Sequence, residues 1–200
     1  MGFFDYFCVE SVGKAGGLAL FWKARVESEV IFSNSNAIMA LVFSGSPGTP
    51  WLLFVVHGLP YLGKKCKFWD LMEDIINIFS GVWLMFGDLN SIASSGDKLG
   101  GSHRGESYSK CFQNFTSNVG AIDLGFSGHK FTWSNKRAGW ENIRERLDRG
   151  ICNVDWQSLF PNAGVKHLIA LNSDHLPILL NTHMEFKPRS QTVLIQSHVG

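Results

Sequence analysis

The sequence has almost no net charge, since 18 lysines and arginines stand against 17 aspartates and glutamates among its 200 residues. A protein that attracts nucleic acid through its overall field carries a large positive excess. Overall electrostatic attraction to nucleic acid is therefore excluded. Any contact with nucleic acid has to come from a local basic patch.

Long hydrophobic runs and a targeting signal are also missing. Apolar stretches such as Trp51–Val56 are much shorter than the roughly 20 residues that cross a bilayer. Residues 1–7 lack both a basic segment and a long apolar segment, so they do not form a signal peptide. We predict an intracellular protein, nuclear or cytoplasmic, that has no membrane partner.

Closely spaced cysteine motifs are absent as well. None of the cysteines belongs to a Cys-x-x-Cys pair, and all four are widely spaced: Cys8, Cys66, Cys111 and Cys152. This spacing disfavours a zinc site and is typical of free thiols in a reducing compartment. We predict four unpaired, buried thiols.

The sequence does contain enough apolar material for one folded domain. Hydrophobic residues make up 45% of it and charged residues 18%, which is typical of a globular chain with a sizeable core. No internal repeat or linker divides it. We predict one domain at residues 1–188 and a disordered tail at residues 189–200.

Hydrophobic periodicity predicts alternating strands and helices. The predicted strands lie at residues 18–22, 26–32, 37–43, 51–56, 82–86 and 177–180. The predicted helices lie at residues 68–79 and 108–119, with a short helical connector at residues 156–160. Further short strands are expected from residue 131 onward, and one of them spans residues 143–149.

Residues 82–90 combine a buried strand with two polar side chains. The apolar run 82–86 is followed by Gly87, Asp88 and, after one more residue, Asn90. Side chains in an extended segment repeat every second residue, so Asp88 and Asn90 are expected on one face. A carboxylate can hold a metal or accept a proton from water, and an amide can donate to a phosphate oxygen. A simple turn after the strand is the alternative.

A second polar group lies near the other end of the sequence. Asp174 and His175 precede an apolar strand-like run, and together they offer a metal ligand and a group that titrates near neutral pH. Asp148 lies between the two groups. A buried aspartate that accepts from an imidazole N–H fixes the tautomer of the ring. The three motifs together are more specific than any one of them.

These motifs, in this order, resemble the endonuclease/exonuclease/phosphatase superfamily, which includes apurinic endonucleases and DNase I. The closer resemblance is to the endonuclease domain of plant LINE-type retrotransposons, and it spans residues 13–188. It is carried by four more stretches: Gly16–Trp22, Ile122–Gly128, Phe131–Asn135 and Glu145–Arg149. The resemblance implies an α/β fold of two packed mixed β-sheets flanked by helices, a DNase I-like four-layer sandwich.

The resemblance also implies a reaction and a role for single residues. The reaction is Mg²⁺-dependent hydrolysis of a DNA phosphodiester. Asp88 would activate the attacking water, while Asn90 would orient it and hold a phosphate oxygen. Asp174 would help to bind the metal, and His175, oriented by Asp148, would stabilise charge on the phosphate in the transition state.

The opening of the family pattern is not found. Family members begin with a strand that carries a catalytic Asn and, after a helix, a second strand that carries a metal-binding Glu. Gly16 and Gly17 already lie close to the start of this sequence, and Glu10 is the only glutamate before them. We therefore expect the first strand and helix of the fold to be missing and the metal site to be incomplete.

A basic cluster interleaved with Trp133 and Trp140 provides the candidate surface for DNA. It consists of Lys130, Lys136, Arg137, Arg144, Arg146 and Arg149. Basic side chains beside aromatic ones can clamp a phosphate backbone and stack on a base. The predicted DNA-contacting residues are Trp133, Asn135, Arg137 and Arg144. A solvated strand pair packed by core tryptophans is the alternative.

Two more residues follow the predicted strand 51–56. The family often has an aromatic side chain near the phosphate at this strand exit. His57 or Tyr61 could take that position. A plain loop residue is the alternative for each.

We predict a metal-dependent DNA endonuclease of the retrotransposon type, impaired by the loss of the Asn and Glu, with DNA as its partner and no obligate protein partner. A catalytically dead remnant that binds nucleic acid weakly is the first alternative. A small-molecule or lipid phosphatase of the same fold is the second. It is disfavoured because the closer resemblance is to the retrotransposon branch.

Overall fold

The computed structural model describes residues 3–11, 17–43, 48–101, 106–170 and 172–183. Within these residues lie a six-stranded sheet, two three-stranded sheets, a two-stranded sheet and three α-helices. No helix in the same ranges is long and apolar enough to cross a membrane. The tail predicted at residues 189–200 lies outside the described residues.

The elements are numbered in chain order. The strands are β1 (Asp5–Val9), β2 (Leu18–Trp22), β3 (Ser28–Asn34), β4 (Ala37–Val42), β5 (Trp51–His57), β6 (Trp83–Asp88), β7 (Lys98–Leu99), β8 (Ile122–Asp123), β9 (Phe126–Ser127), β10 (Trp133–Ser134), β11 (Arg144–Glu145), β12 (Asp148–Cys152), β13 (Gly164–His167) and β14 (Ile178–Asn181). The helices are α1 (Leu62–Phe79), α2 (Glu106–Asn118) and α3 (Val154–Leu159). The α/β fold with mixed sheets is confirmed.

The six-stranded sheet has the order β3-β4-β5-β6-β12-β8. Strands β5 and β6 are parallel, and β12 runs antiparallel to β6. The end of β5, the end of β6 and the start of β12 therefore meet at one edge of the sheet. The register places Asp88 between His57 on one side and Asp148 on the other.

The two faces of this sheet pack into two separate cores, because side chains alternate along each strand. Trp83 and Met85 of β6 pack with α1 and α2 side chains such as Trp69 and Phe112. Leu84, between them in sequence, packs on the opposite face. Its neighbours there come from α3 and from β13 of the sheet β14-β13-β9. One face of the central sheet is thus covered by helices and the other by a second sheet.

The structure differs from the strand predictions in two places. Strand β1 was not predicted, although it pairs with β2 over five residue pairs from Asp5↔Trp22 to Val9↔Leu18. The single strand predicted at residues 143–149 is two strands, β11 and β12, with a break at Arg146 and Leu147. The break occurs because Arg146 N donates to Asp97 O and Leu147 N to Thr132 Oγ1, outside the strand ladders.

The prediction of four unpaired, buried thiols is wrong. Cys66 of α1 and Cys111 of α2 are joined in a disulfide, and Cys8 is exposed. Sequence spacing could not show the pairing, since 45 residues separate the two cysteines and only the packing of α1 on α2 brings them together. Cys152 is free and buried as predicted. Burial raises the pKa of its thiol to about 12.

Candidate active site

Two glycines allow the ends of β5 and β6 to approach each other closely. Gly87 has φ +136°, and a Cβ on it would collide with the Val56 carbonyl oxygen. A Cβ on Gly58 would collide with the Leu89 carbonyl oxygen. Gly58 N donates to Asp88 O at 2.7 Å. The segments that follow β5 and β6 therefore lie in direct contact.

The Asp88 carboxylate accepts two hydrogen bonds from Asn90. The backbone N of Asn90 lies 2.8 Å from Asp88 Oδ1, and its Nδ2 lies 2.9 Å from Asp88 Oδ2. Asn90 has φ +46°, so the chain turns here and Nδ2 also reaches Gly58 O at 2.8 Å. The two side chains meet as expected, but through the turn that was the alternative and not through a continuing strand.

His175 faces two carboxylates. Its Nδ1 lies 2.9 Å from Asp148 Oδ2, and its Nε2 lies 3.9 Å from Asp88 Oδ2. Because an ionised carboxylate can only accept, the proton of the first contact is on Nδ1. The structure thus joins Asp148 to His175 as the sequence predicted, and directs Nε2 toward the Asp88 side of the site.

Thr132 positions the start of β12 beside the histidine, and sequence reasoning missed it. Its Oγ1 accepts from Leu147 N and Asp148 N, each at 3.0 Å, and its carbonyl accepts from Leu176 N at 2.7 Å. One residue therefore ties Asp148 to the segment that follows His175. The signal was too weak to detect, because a threonine just before a short strand has no special pattern.

The surroundings of the site raise the pKa of both Asp88 and His175. Burial, and then the nearby charge of Asp148, raises the pKa of Asp88. Burial alone would lower the pKa of His175, but its hydrogen bond to Asp148 and the charges of Asp148 and Asp88 outweigh burial and raise it. The arrangement favours a protonated imidazole between carboxylates.

Comparison with known proteins gives structural matches alone, since no family model and no curated protein sequence matches the chain. The endonuclease domain of TRAS1, a telomere-specific non-LTR retrotransposon, aligns over 90% of this chain and 81% of its own, with a TM-score of 0.67 and 13% identity. The AP endonuclease LMAP from Leishmania major aligns over 86% and 69%, with a TM-score of 0.66 and 13% identity.

A third match is an endonuclease/exonuclease/phosphatase family protein from Leptotrichia buccalis. It aligns over 88% of this chain and 71% of its own, with a TM-score of 0.59 and 16% identity. The chain has the endonuclease/exonuclease/phosphatase fold. At these identities the likeness shows the fold, and the chemistry has to be argued from the residues of the site.

Within this fold, one group of described residues has the geometry to hold a metal ion. Asp88, Asp148 and His175 each offer a ligand atom, and these atoms lie within 4.8 Å of one another. Two carboxylates suit a hard cation such as Mg²⁺, which prefers oxygen ligands. Asp174, the predicted metal ligand, is not in this group. Its carboxylate is exposed and accepts from Trp133 Nε1 at 3.1 Å.

The two residues proposed at the exit of β5 differ in position. His57 Nε2 lies 3.7 Å from Asp88 Oδ2, so its ring borders the site. Tyr61 is 73% exposed and lies just before α1. Of the two, His57 is the residue that the fold places beside Asp88.

Asn135, one of the predicted DNA contacts, is used inside the protein. Its Oδ1 accepts from Arg137 N and Ile143 N, and its Nδ2 donates to Glu141 O at 2.9 Å. These bonds close the loop 135–143 between β10 and β11. The side chain of Asn135 therefore shapes the loop.

The loop 135–143 and its flanks expose the other predicted contacts. Arg137 and Arg144 are exposed, while Trp133 is partly buried and in contact with Asp174. Trp140 is 88% exposed, so the alternative of core tryptophans is wrong for this residue. The loop thus presents cations and an aromatic side chain to solvent.

The other two arginines of the basic cluster are not on the surface. Arg146 and Arg149 are buried, and both bind Asp123, at 2.7 and 3.0 Å. Arg149 also binds buried Asp97 at 3.2 Å. Burial opposes ionisation of Asp123, but the charges of the two arginines outweigh burial and lower its pKa. Neither the DNA-binding prediction nor the solvated alternative holds for this pair, because both arginines are buried in ion pairs.

Lys65 was missed by the sequence interpretation. It is 6% exposed, and its Nζ donates to Asn90 O. A signal was present: Lys65 lies three, four and seven residues before Phe68, Trp69 and Met72, on the apolar stripe of α1. A lysine at such a position is buried with a partner, because unpaired burial of its charge is costly.

Replacing Asp148 with asparagine should lower the pKa of His175. The hydrogen bond and charge that raise it are removed, while the burial that lowers it remains. NMR titration of the His175 ring should give a pKa above its ordinary value of 6.5 in the wild type and a lower one in Asp148→Asn. The matched control is Asp155→Asn, an exposed aspartate in α3. Equal titration of His175 in all three proteins would show that Asp148 does not govern its charge.

Proposed function

We propose that the protein hydrolyses DNA phosphodiester bonds with the help of Mg²⁺, as an endonuclease of the retrotransposon type with a weak metal site. The observation that carries this proposal is the convergence of Asp88, oriented by Asn90, and His175, oriented by Asp148, on one edge of the sheet. One pair suits proton transfer from water, and the other suits stabilisation of charge on a phosphate.

Asp88 would accept the proton of the attacking water. Its Oδ2 lies 3.9 Å from His175 Nε2 and 3.7 Å from His57 Nε2, so it borders the space where water and phosphate would meet. Both amide hydrogens of Asn90 are taken, one by Asp88 and one by Gly58 O. Asn90 therefore orients the Asp88 carboxylate, and it has no side-chain N–H left for the attacking water or for a phosphate oxygen.

His175 would stabilise charge on the phosphate. Asp148 holds the proton on Nδ1, so a protonated ring presents Nε2–H to the site. The raised pKa of His175 favours this charged form at neutral pH. A donor that is positioned before the reaction stabilises the transition state without reorganising during it.

Asp88 and Asp148 would hold the metal ion. When bound, a divalent cation acts as a Lewis acid on the phosphate and lowers the pKa of water. Among the described residues, no glutamate belongs to the group that could bind it. Each carboxylate is also engaged already, by Asn90 or by His175. We therefore propose weak metal binding and slow turnover.

DNA is the substrate that the surroundings of the site favour. The exposed Arg137, Arg144 and Trp140 lie in or beside the loop 135–143, and β11 at its end pairs with β10, whose Trp133 is bridged to His175. Cations that approach the phosphate backbone position a duplex, and exposed aromatics stack on bases. Two structural neighbours are named as endonucleases, which supports the same substrate class.

Nicking of supercoiled plasmid tests the proposal. We expect slow conversion to open circles that increases with Mg²⁺ through the millimolar range and stops with EDTA. His175→Ala should lower the rate by about 10²-fold or more, the usual contribution of such a group. His183→Ala, an exposed histidine outside the site, is the matched control and should nick as the wild type does.

The same assay decides between the proposal and its main alternative. DNA binding without nicking at any Mg²⁺ concentration would support a catalytically dead remnant. Nicking that is equal in wild type and His175→Ala would assign the activity to a contaminant and contradict the proposal.

A further inference from the structure

Helix α1 carries a lysine into the interior beside the site. Lys65 is 6% exposed, and its Nζ donates a hydrogen bond to the carbonyl oxygen of Asn90. This oxygen belongs to the residue whose side chain orients Asp88. The contact therefore joins α1 to the turn that follows β6.

The turn at Asn90 needs an external partner. Asn90 has φ +46°, a region in which residues other than glycine are uncommon. Its backbone N–H and its amide are already used by Asp88 and Gly58. Lys65 provides a partner for the carbonyl group, the second polar group of the Asn90 backbone.

The charge of Lys65 also lies in an acidic environment. Burial lowers its pKa, while the charges of Glu145 and Asp88 oppose that effect. Glu145 is paired with Lys98 at 2.8 Å. Asp88 in turn is the register partner of Asp148 on the adjacent strand β12. The Lys65 ammonium thus lies near enough to Glu145 and Asp88 to interact with their charges.

The helix that carries Lys65 is fixed by two contacts within the turn that follows the lysine. Trp69 Nε1 lies 3.3 Å from Ser91 Oγ, one residue beyond Asn90. Cys66 is bonded to Cys111 of α2. These contacts hold α1 against the turn, where the lysine ammonium reaches the Asn90 carbonyl group.

We propose that Lys65 is a positioning residue of the hydrolytic site. It holds Asn90 in the left-handed conformation that turns the side-chain amide toward Asp88. The kinetic part of this inference rests on the proposed function, and the conformational part does not.

The conformational part is tested by NMR on Lys65→Met, which keeps the length of the side chain and removes the donor and the charge. The Cα and backbone amide chemical shifts of Asn90 should move from values typical of a left-handed residue toward those of an extended one. The backbone N–H of Asn90 should also exchange faster with solvent. Lys64→Met and Lys67→Met are the matched controls, because both lysines are exposed on the same helix. Unchanged Asn90 shifts in Lys65→Met would overturn the proposal.

The kinetic part is tested by plasmid nicking with the same variants. Lys65→Met should lower kcat by about 10- to 100-fold, the cost of misplacing a catalytic group by roughly 1 Å. KM should stay unchanged, and Lys65→Arg should restore part of the rate. A merely structural role would lower stability without this division between kcat and KM. Nicking by Lys65→Met at the rate of Lys64→Met would overturn the inference.

Failure of the proposed function and failure of this inference can be told apart. If the wild type does not nick, the proposed function fails, and the NMR comparison still decides the role of Lys65. If Lys65→Met does not fold, Lys65→Leu takes its place with the same readouts and the same criteria, since leucine also lacks the donor and the charge.

Discussion

Asp148→Asn should lower the rate of plasmid nicking by about 10³- to 10⁴-fold while leaving DNA affinity nearly unchanged, as expected when the carboxylate that orients a catalytic histidine is replaced. The asparagine amide would place an N–H against Nδ1 of His175, where Asp148 Oδ2 now accepts at 2.9 Å. The neutral ring would then carry its proton on Nε2, and the charged form of the ring would no longer be favoured. This harms the transition state more than the bound substrate.

The matched comparison uses two exposed arginines. Arg137→Gln and Arg144→Gln should weaken DNA binding and reduce its salt dependence, by about one unit of slope for each phosphate that is no longer neutralised. Their turnover at saturating DNA should stay close to that of the wild type, because both lie outside the contacts of His175 and Asp88. Equal decreases of affinity in Asp148→Asn and in the arginine variants would show that the roles are assigned wrongly.

Arg149→Met should lower the free energy of unfolding by about 3–5 kcal/mol, because removal of one partner leaves a buried charge uncompensated. Arg149 is 0% exposed. It binds Asp97 at 3.2 Å, Asp123 at 3.0 Å and the Arg146 carbonyl oxygen at 2.7 Å. Asp97, 1% exposed, would keep its charge in the interior with Arg146 Nη1 3.9 Å away.

Urea unfolding measures this decrease. Arg144→Met, an exposed arginine five residues earlier, is the matched control and should change the free energy of unfolding by no more than about 0.5 kcal/mol. A decrease for Arg149→Met as small as that of the control would mean that the ion pairs of Arg149 with Asp97 and Asp123 contribute little to stability.

The elements that the sequence predicted well are those that depend on local pattern. The apolar run before Gly87 indicated β6, and the short spacing from Asp88 to Asn90 was enough to bring the two side chains together. The contact of Asp148 with His175 spans 27 residues. This contact was predicted through the resemblance of the motifs to a known family, since no local sequence rule predicts it.

The features that were missed depend on segments distant in the sequence. Arg146 and Arg149 look like a basic patch in the sequence, because nothing local shows that Asp97 and Asp123 fold against them. The same holds for Cys66, whose partner lies on another helix. Charge and cysteine counts give the residue types, while burial and pairing are properties of the tertiary structure.

The central claim is that Asp88 accepts the proton in a DNA-hydrolysing site, and one measurement tests it most directly. This is the Mg²⁺-dependent nicking rate of Asp88→Asn, compared with wild type at equal DNA occupancy. We predict a fall of about 10³-fold or more, as for the removal of a residue that acts in the chemical step. A variant that binds DNA and nicks it at the wild-type rate would contradict the claim.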